Sequence, residues 1–318
     1  MSPQGKSAVL LLAHGSPCRV EDIPEFLRYV TGGRTLSKAV VQEVQHRYGI
    51  IGTSPLSRIT LRQGELLARE LKLPVYAGMR NWYPFIRDVV GQMQRDGITR
   101  AVVICLAPQN SCTSVGLYRS ALLGDAGTTP FEVDFIDNWH DHPLLIKAFA
   151  EKLELGWRQA CKEAATRVPI IFTAHSVPQH TIREGDPYEA QCKETASLVA
   201  MQVPALSMDD WTFAFQSQGM SGGAWLGPTV EEGILSLKAK GHRAVFLQPI
   251  GFLCDHVEVL YDIDIAFRQF AEKEAMRLWR AESLNDSPML IAALADVARS
   301  RLQRAGEPGQ RVVQISGK

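Results

Sequence analysis

The chain has no excess of charge of either sign: Lys plus Arg and Asp plus Glu number 34 each in 318 residues, for a formal net charge of zero. That balance leaves no electrostatic footprint for nucleic acid or another extended polyanion, so neither is expected as a partner, while a small positive pocket stays compatible with it. Long hydrophobic runs are missing as well. The apolar stretch near the start, Ala8–Ala13, has six residues and stops at the polar turn Gly15-Ser16-Pro17. It reads as a buried first strand, neither a membrane span nor a signal peptide. Cysteine is sparse: the six cysteines include no CxxC pair, and none follows Cys254. A disulfide framework and a C-terminal iron–sulfur cluster are therefore not expected; scattered reduced thiols in a cytoplasmic protein are. The glycine-rich stretch Gly219–Gly223 fits neither GxGxxG nor a phosphate loop, and reads as a loop that positions Trp225.

What is present is an alternation of short apolar runs with stretches of helical period, the pattern of parallel sheets covered by helices. Strands are expected at Val9–Leu12, Val75–Ala77, Ala101–Leu106, Phe131–Ile136, Pro169–Thr173 and Ala244–Pro249. Helices are expected at Leu36–Tyr48, Thr60–Leu71, Pro84–Asp96, Pro143–Ala164, Tyr188–Met201 and Val230–Lys240, then at Val257–Lys273 and Pro288–Ala305. The length suggests two domains of about 150 residues each.

The chain also resembles itself. VLLLAHGSP (Val9–Pro17) matches IIFTAHSVP (Ile170–Pro178), and RAVVICLAP (Arg100–Pro108) matches RAVFLQP (Arg243–Pro249), in the same order in both halves. Two related α/β lobes follow. Ligands of open parallel sheets bind outside the carboxyl ends of the strands, and His14, Pro108, His175 and Pro249 all fall there. Two such lobes would line one cleft with both histidines.

A lone histidine at a strand end is more often satisfied by nearby backbone than chemical. His175 differs in standing between a strand and the ordered turn Gly185-Asp186-Pro187-Tyr188, where Asp186 is placed to cap the next helix. Glu258 follows the strand ending at Pro249. With Asp255 as N-cap it would occupy the third helical position, a purely structural role. Against that, Glu258 and Asp262 are four residues apart and share a helix face, where paired carboxylates raise one another's pKa as a proton relay requires. His256 falls on a different face and reads as packing or as support behind the residues of the site. His14 gains weight from its match to His175. Arg47, Tyr48 and the Gly52-Thr53-Ser54-Pro55 turn offer a cation, hydroxyls and backbone N–H groups suited to carboxylates, or simply a loop between helices. His140 and His142 have HxH spacing but no further ligand nearby, and read as a surface turn.

Five segments in order resemble the ferrochelatases, over about Ala8 to Leu302: HRYGIIGTSPL (His46–Leu56), LAPQNSCTSVGLY (Leu106–Tyr118), FTAHSVPQHTIREGDPY (Phe172–Tyr188), QSQGMSGGAWLGP (Gln216–Pro228) and PIGFLCDHVEVLYDID (Pro249–Asp264). The resemblance implies two Rossmann-like lobes, each a parallel four-stranded sheet flanked by helices, with the active-site cleft between them. The expected division is residues 1–160, residues 161–285, and a C-terminal helix from 286 that packs back on the first lobe, with a flexible tail from about 306. It also implies His175 and Glu258 as the catalytic and metal-site pair and Asp262 as proton relay. His14 would be an axial iron ligand, and His14, Arg47, Tyr48, Ser54 and Tyr118 would contact the porphyrin or its propionates.

The wording AHGSP, APQ and HVEVLYD is similar to the coproporphyrin III type. The expected activity is therefore a lyase reaction of haem biosynthesis, inserting Fe2+ into coproporphyrin III with release of two protons. Protoporphyrin IX is the alternative substrate. Iron enters as substrate, no obligatory cofactor is expected, and a cytoplasmic monomer without a membrane span is the simplest form. Three positions depart from the family: His14, where tyrosine or asparagine is usual; Ala266, where the acidic row normally continues; and Ile51, where glycine is usual. His14 also resembles the AHGS opening of sirohydrochlorin chelatases, which leaves a sirohydrochlorin or cobalt chelatase, or a haem-binding carrier, as rival readings. Four propionates need more cationic partners than two, so Arg34 and Arg47 should influence porphyrin choice.

Overall fold

The computed structural model describes residues 5–218 and 223–304. Two compact units divide the chain: residues 1–46, 53–139 and 286–318 form the first, and residues 47–52 and 140–285 the second.

The first unit is built on β1 (Lys6–Ala13), β2 (Val75–Met79), β3 (Ile98–Cys105) and β4 (Glu132–Ile136). They form one parallel sheet in the order β2-β1-β3-β4. Between them run α1 (Ile23–Val30), α2 (Lys38–Ile50), α3 (Leu56–Leu71), α4 (Ile86–Arg95) and α5 (Val115–Leu123). Strand side chains alternate between faces. Ala8, Leu10 and Leu12 of β1 join Ala101, Val103 and Cys105 under α4 and α5, while Val9 and Leu11 are equally buried on the other face. A stretch covered on both faces must be apolar at every position, which is why Ala8–Ala13 of β1 reads as an unbroken run. Each such fully buried aliphatic side chain contributes about 1.5–3 kcal/mol.

The second unit begins with α6 (Pro143–Ala164), then β5 (Ile170–His175), α7 (Gln179–Arg183), α8 (Tyr188–Met201), β6 (Trp211–Gln216), α9 (Val230–Ala239) and β7 (Ala244–Pro249). It closes with α10 (Val257–Leu260), a π-helical turn over Asp262–Phe267, α11 (Arg268–Lys273) and β8 (Arg277–Arg280). Its sheet is again parallel, in the order β6-β5-β7-β8. That is the order of the first sheet, element for element, and the two matched segment pairs occupy the first and third strands of each. One face of the sheet packs under α9, α10 and the π turn through Ile171, Ala214, Val245, Leu247, Val259 and Ile263. Helix α6 packs against α8, β7 and β8. The last helix, α12 (Pro288–Arg304), returns to the first unit and packs on α3 and β3. No helix among the described residues is long and apolar enough to cross a membrane.

Several expectations need correction. A boundary at residue 160 would cut α6, which belongs wholly to the second unit: Leu145, Phe149, Leu153 and Trp157 are buried, and the Trp157 indole N–H donates to Val168 O at 2.7 Å. The continuous helix expected over Val257–Lys273 is interrupted. Tyr261 O accepts from both Ile265 N (3.1 Å) and Ala266 N (2.9 Å), so the ladder switches there from i+4 to i+5. Strands β6 and β8 and helices α1, α5 and α7 were not expected. As expected of reduced thiols, the six cysteines form no disulfide among the described residues. The expected tail from 306 and most of the Gly219–Gly223 loop lie outside the described residues.

Glycines fix the two strand ends that matter most. Gly15 follows His14 at φ +79°, and a Cβ there would stand 2.7 Å from Met79 Cβ. Gly251, just beyond β7, lies so close to β5 that its Cβ would be 2.9 Å from Ala174 Cβ, beside His175. Gly251→Ala is therefore expected to destabilise the protein by about 1–3 kcal/mol through overpacking. A urea-denaturation midpoint unchanged from wild type would show that the contact yields without cost.

Candidate active site

At the carboxyl end of the second sheet, β5 delivers His175 as its last residue. The backbone there is held from three sides. Ser176 N donates to Gln216 O (2.7 Å), the Ser176 hydroxyl donates to Leu226 O (2.9 Å), and the Tyr188 hydroxyl donates to His175 O (3.0 Å). Burial pushes the Tyr188 pKa well above its ordinary value, so it stays a donor. Asp186 Oδ1 accepts from Tyr188 N at 3.0 Å, which sets the start of α8.

The His175 ring is fixed by a hydrogen bond from Nδ1 to Ser176 O. A carbonyl can only accept, so Nδ1 carries the hydrogen and, in the neutral ring, Nε2 carries the lone pair. Nε2 faces Glu258 Oε1 at 3.6 Å. That distance is beyond a direct hydrogen bond. Two ligand atoms about 2.1 Å from a shared cation stand roughly 3.0–3.4 Å apart at right to tetrahedral angles, so a small adjustment would let both hold one ion.

Glu258 meets a second imidazole. His256 is tied by Nδ1 to Cys254 O (2.9 Å), and its Nε2 stands 3.7 Å from Glu258 Oε2. Each carboxylate oxygen thus faces one ring nitrogen. Burial alone would lower the His256 pKa; Glu258 and the Cys254 carbonyl reverse this and raise it above the ordinary value. The expectation that His256 lies on a separate face fails because residue 256 precedes α10 in an extended conformation, φ −162° and ψ −176°, where helical spacing does not apply. Asp255 likewise caps nothing. It accepts instead from Ser283 Oγ (2.7 Å) and Asn285 Nδ2 (2.9 Å).

Asp262 lies at the start of the π turn, accepting a hydrogen bond from the Ser217 hydroxyl, with Arg47 Nη1 at 3.6 Å. Burial raises its pKa; the Ser217 bond works against that, Glu258 adds to it, and Arg47 opposes it again. The Arg47 guanidinium also lies 5.0 Å over the Tyr261 ring. Tyr48 is buried, its pKa pushed up by burial and then by the Glu258 charge. Trp225 meets the His175 ring edge-on at 6.5 Å. The structure thus brings together His175, Glu258, Asp262, Arg47 and Tyr48 in one unit.

His14, Ser54 and Tyr118 belong to the first unit. His14 directly follows β1 with Nδ1 bonded to Gly15 O at 2.9 Å, the arrangement seen at His175, and meets Phe26 edge-on at 5.9 Å. Ser54 is buried, its Oγ accepting from Leu56 N at 3.4 Å at the start of α3. Tyr118 lies under the Arg80 guanidinium, 5.6 Å from its carbon. No motif in the sequence marks Arg80. Its backbone N–H bonds Ala13 O at 2.9 Å, burial lowers its pKa, and its buried Nε has no partner among the described residues. A buried guanidinium N–H of this kind suits an anionic ligand. Its place just after the strand at Val75 was the one available signal. His140 is not on a surface turn: it is buried, with Nε2 3.0 Å from Glu194.

Several known proteins resemble this chain over most of its length. The protein named ferrochelatase from Acidobacterium capsulatum is 53% identical over 313 residues, 94% of this chain and 95% of that protein. The coproporphyrin III ferrochelatase of Geobacillus sp. strain WCH70 is 35% identical over 94% of this chain and 98% of its own. Among solved structures, the sirohydrochlorin chelatase SirB from Bacillus subtilis subspecies spizizenii in complex with cobalt shares the fold, with TM-score 0.57 at 11% identity over 94% of this chain and 96% of that one. The ferrochelatase family model matches residues 6–302, and the chain belongs to that family of porphyrin metal chelatases.

Proposed function

We propose that this protein inserts Fe2+ into coproporphyrin III, with His175 and Glu258 at the reacting centre. The observation that carries the reading is the Nε2 lone pair of His175, fixed by the Ser176 carbonyl and facing Glu258 at 3.6 Å. Insertion exchanges one divalent cation for two pyrrole N–H protons. A neutral imidazole whose lone pair is held in place is suited to accept such a proton. Glu258 orients the imidazole and takes its proton onward, or offers oxygen to the incoming cation. Imidazole and carboxylate do not favour Fe2+ over other divalent metals by affinity, so supply and geometry must select it.

A proton leaving Glu258 has two neighbours to accept it, His256 and Asp262, both with raised pKa. His14 carries the same Nδ1-to-carbonyl restraint, which suits an axial ligand to the iron. Arg47, Tyr48, Ser54 and Tyr118 are read as porphyrin contacts. The coproporphyrin assignment is supported by the name of the Geobacillus relative and by the wording of the AHGSP, APQ and HVEVLYD segments.

His175→Ala is expected to abolish iron insertion while porphyrin still binds, as followed by quenching of porphyrin fluorescence; near-normal turnover would refute the role. With coproporphyrin III and protoporphyrin IX assayed side by side, the first should give the higher kcat/KM, and the reverse order would move the substrate to protoporphyrin IX. Ser217→Ala removes a hydrogen bond that favours ionised Asp262, so its pKa rises further and its accepting form needs higher pH. The acid limb of the pH–rate profile should then shift upward, and an unmoved limb would take Asp262 off the proton path.

A further inference from the structure

The segment carrying His256, Glu258 and Asp262 has little regular structure of its own: a four-residue α10 followed by a π turn whose hydrogen-bond ladder is out of step. Such a segment cannot hold a carboxylate to within an ångström unless something else fixes both its ends. The end of β8 and the loop after it do so. Arg280 Nε and Nη2 take Asp264 in a two-pronged grip, at 2.7 Å to Oδ1 and 2.8 Å to Oδ2. Nη2 also reaches Asp255 Oδ1 at 3.4 Å, and Nη1 donates to Ala281 O at 2.9 Å. Asp255 is held in addition by Ser283 and Asn285, whose Oδ1 accepts Asp255 N at 2.9 Å. The Arg280 side chain is 14% exposed, so its pairs are shielded from water. The two gripped carboxylates flank Glu258 in sequence, three residues before it and six after.

We propose that Arg280 is the positioning residue of the reaction: by bridging Asp255 and Asp264 it fixes the turn that holds Glu258 against the His175 and His256 rings. This rests on the role read for Glu258 above. Arg280 is suited to it because only a planar guanidinium can take one carboxylate through two N–H groups and reach a second at the same time; lysine offers a single point charge. Asp264 is acidic for the sake of the grip, and its nearest other cation, Arg268, stands at 3.9 Å.

The test is a set of cycles on the full chain with Fe2+ and coproporphyrin III, reading kcat, the KM for metal and the Kd for porphyrin. Arg280→Gln should lower kcat/KM for the metal on the order of tenfold to a hundredfold, as expected when a reacting group is misplaced by about an ångström. Porphyrin Kd should hold within about twofold, since uniform binding is untouched. Asp264→Asn should reproduce the loss, and Arg280→Lys should recover part of it. In a Glu258→Gln background Arg280→Gln should cost little more, because a residue acting through Glu258 has nothing left to position. An undiminished Arg280→Gln loss in that background overturns the proposal, as does wild-type kcat/KM in Asp264→Asn. If Arg280→Gln fails to fold, Asp264→Asn and Arg280→Lys carry the same cycle. Glu258→Gln with full activity would instead remove the reading on which the proposal rests, a separate outcome.

Discussion

A backbone carbonyl that can only accept decides which nitrogen of His175 keeps its hydrogen, and the candidate chemistry depends on that constraint. Ser176 O fixes the ring through Nδ1 and turns Nε2 toward Glu258. The same device recurs at His256, through Cys254 O, and at His14, through Gly15 O. Three imidazoles thus have their tautomers set by main chain rather than by carboxylates. Each carbonyl belongs to a strand end or turn, so ring orientation is inherited from the sheet and not from mobile side chains. A carboxylate partner at Nδ1 would make the ring more basic; a neutral carbonyl leaves the adjustment to whatever faces Nε2.

Sheets and repeats were legible because their signal is local. Strands β1, β5 and β7 each hold an unbroken apolar run, Ala8–Ala13, Ile170–Phe172 and Ala244–Leu247, and their order in the chain alone predicts two like lobes. Strands β6 and β8 were not legible. Trp211–Gln216 begins half-exposed and ends in a polar residue, and Arg277–Arg280 carries arginine at both ends. Such edge strands pair on one side only and need no unbroken apolar run. The boundary at 160 was misplaced for a related reason: the sequence of α6 shows its amphipathic face but not which sheet the face meets.

Of the site, the residues at strand ends were found from position alone, whereas partners supplied by distant loops were not. His175 and Glu258 stood out; the links from Arg280, Ser283 and Asn285 to Asp255 and Asp264 span 16 to 30 residues of sequence, and no periodicity encodes them. The face of His256 was not legible because helical spacing does not describe a residue in extended conformation. Arg80 was missed because an arginine after a strand is unremarkable until its burial and its unmatched Nε are known.

The return of α12 to the first unit has a consequence for synthesis. Pro288–Arg304 packs on α3 and β3, yet the whole of 140–285 leaves the ribosome before that helix does. The nascent first unit therefore stays incomplete while its neighbour folds, and domain-by-domain folding from the amino terminus is closed to it. At bacterial elongation rates of about 5–20 residues per second, that interval lasts on the order of ten seconds.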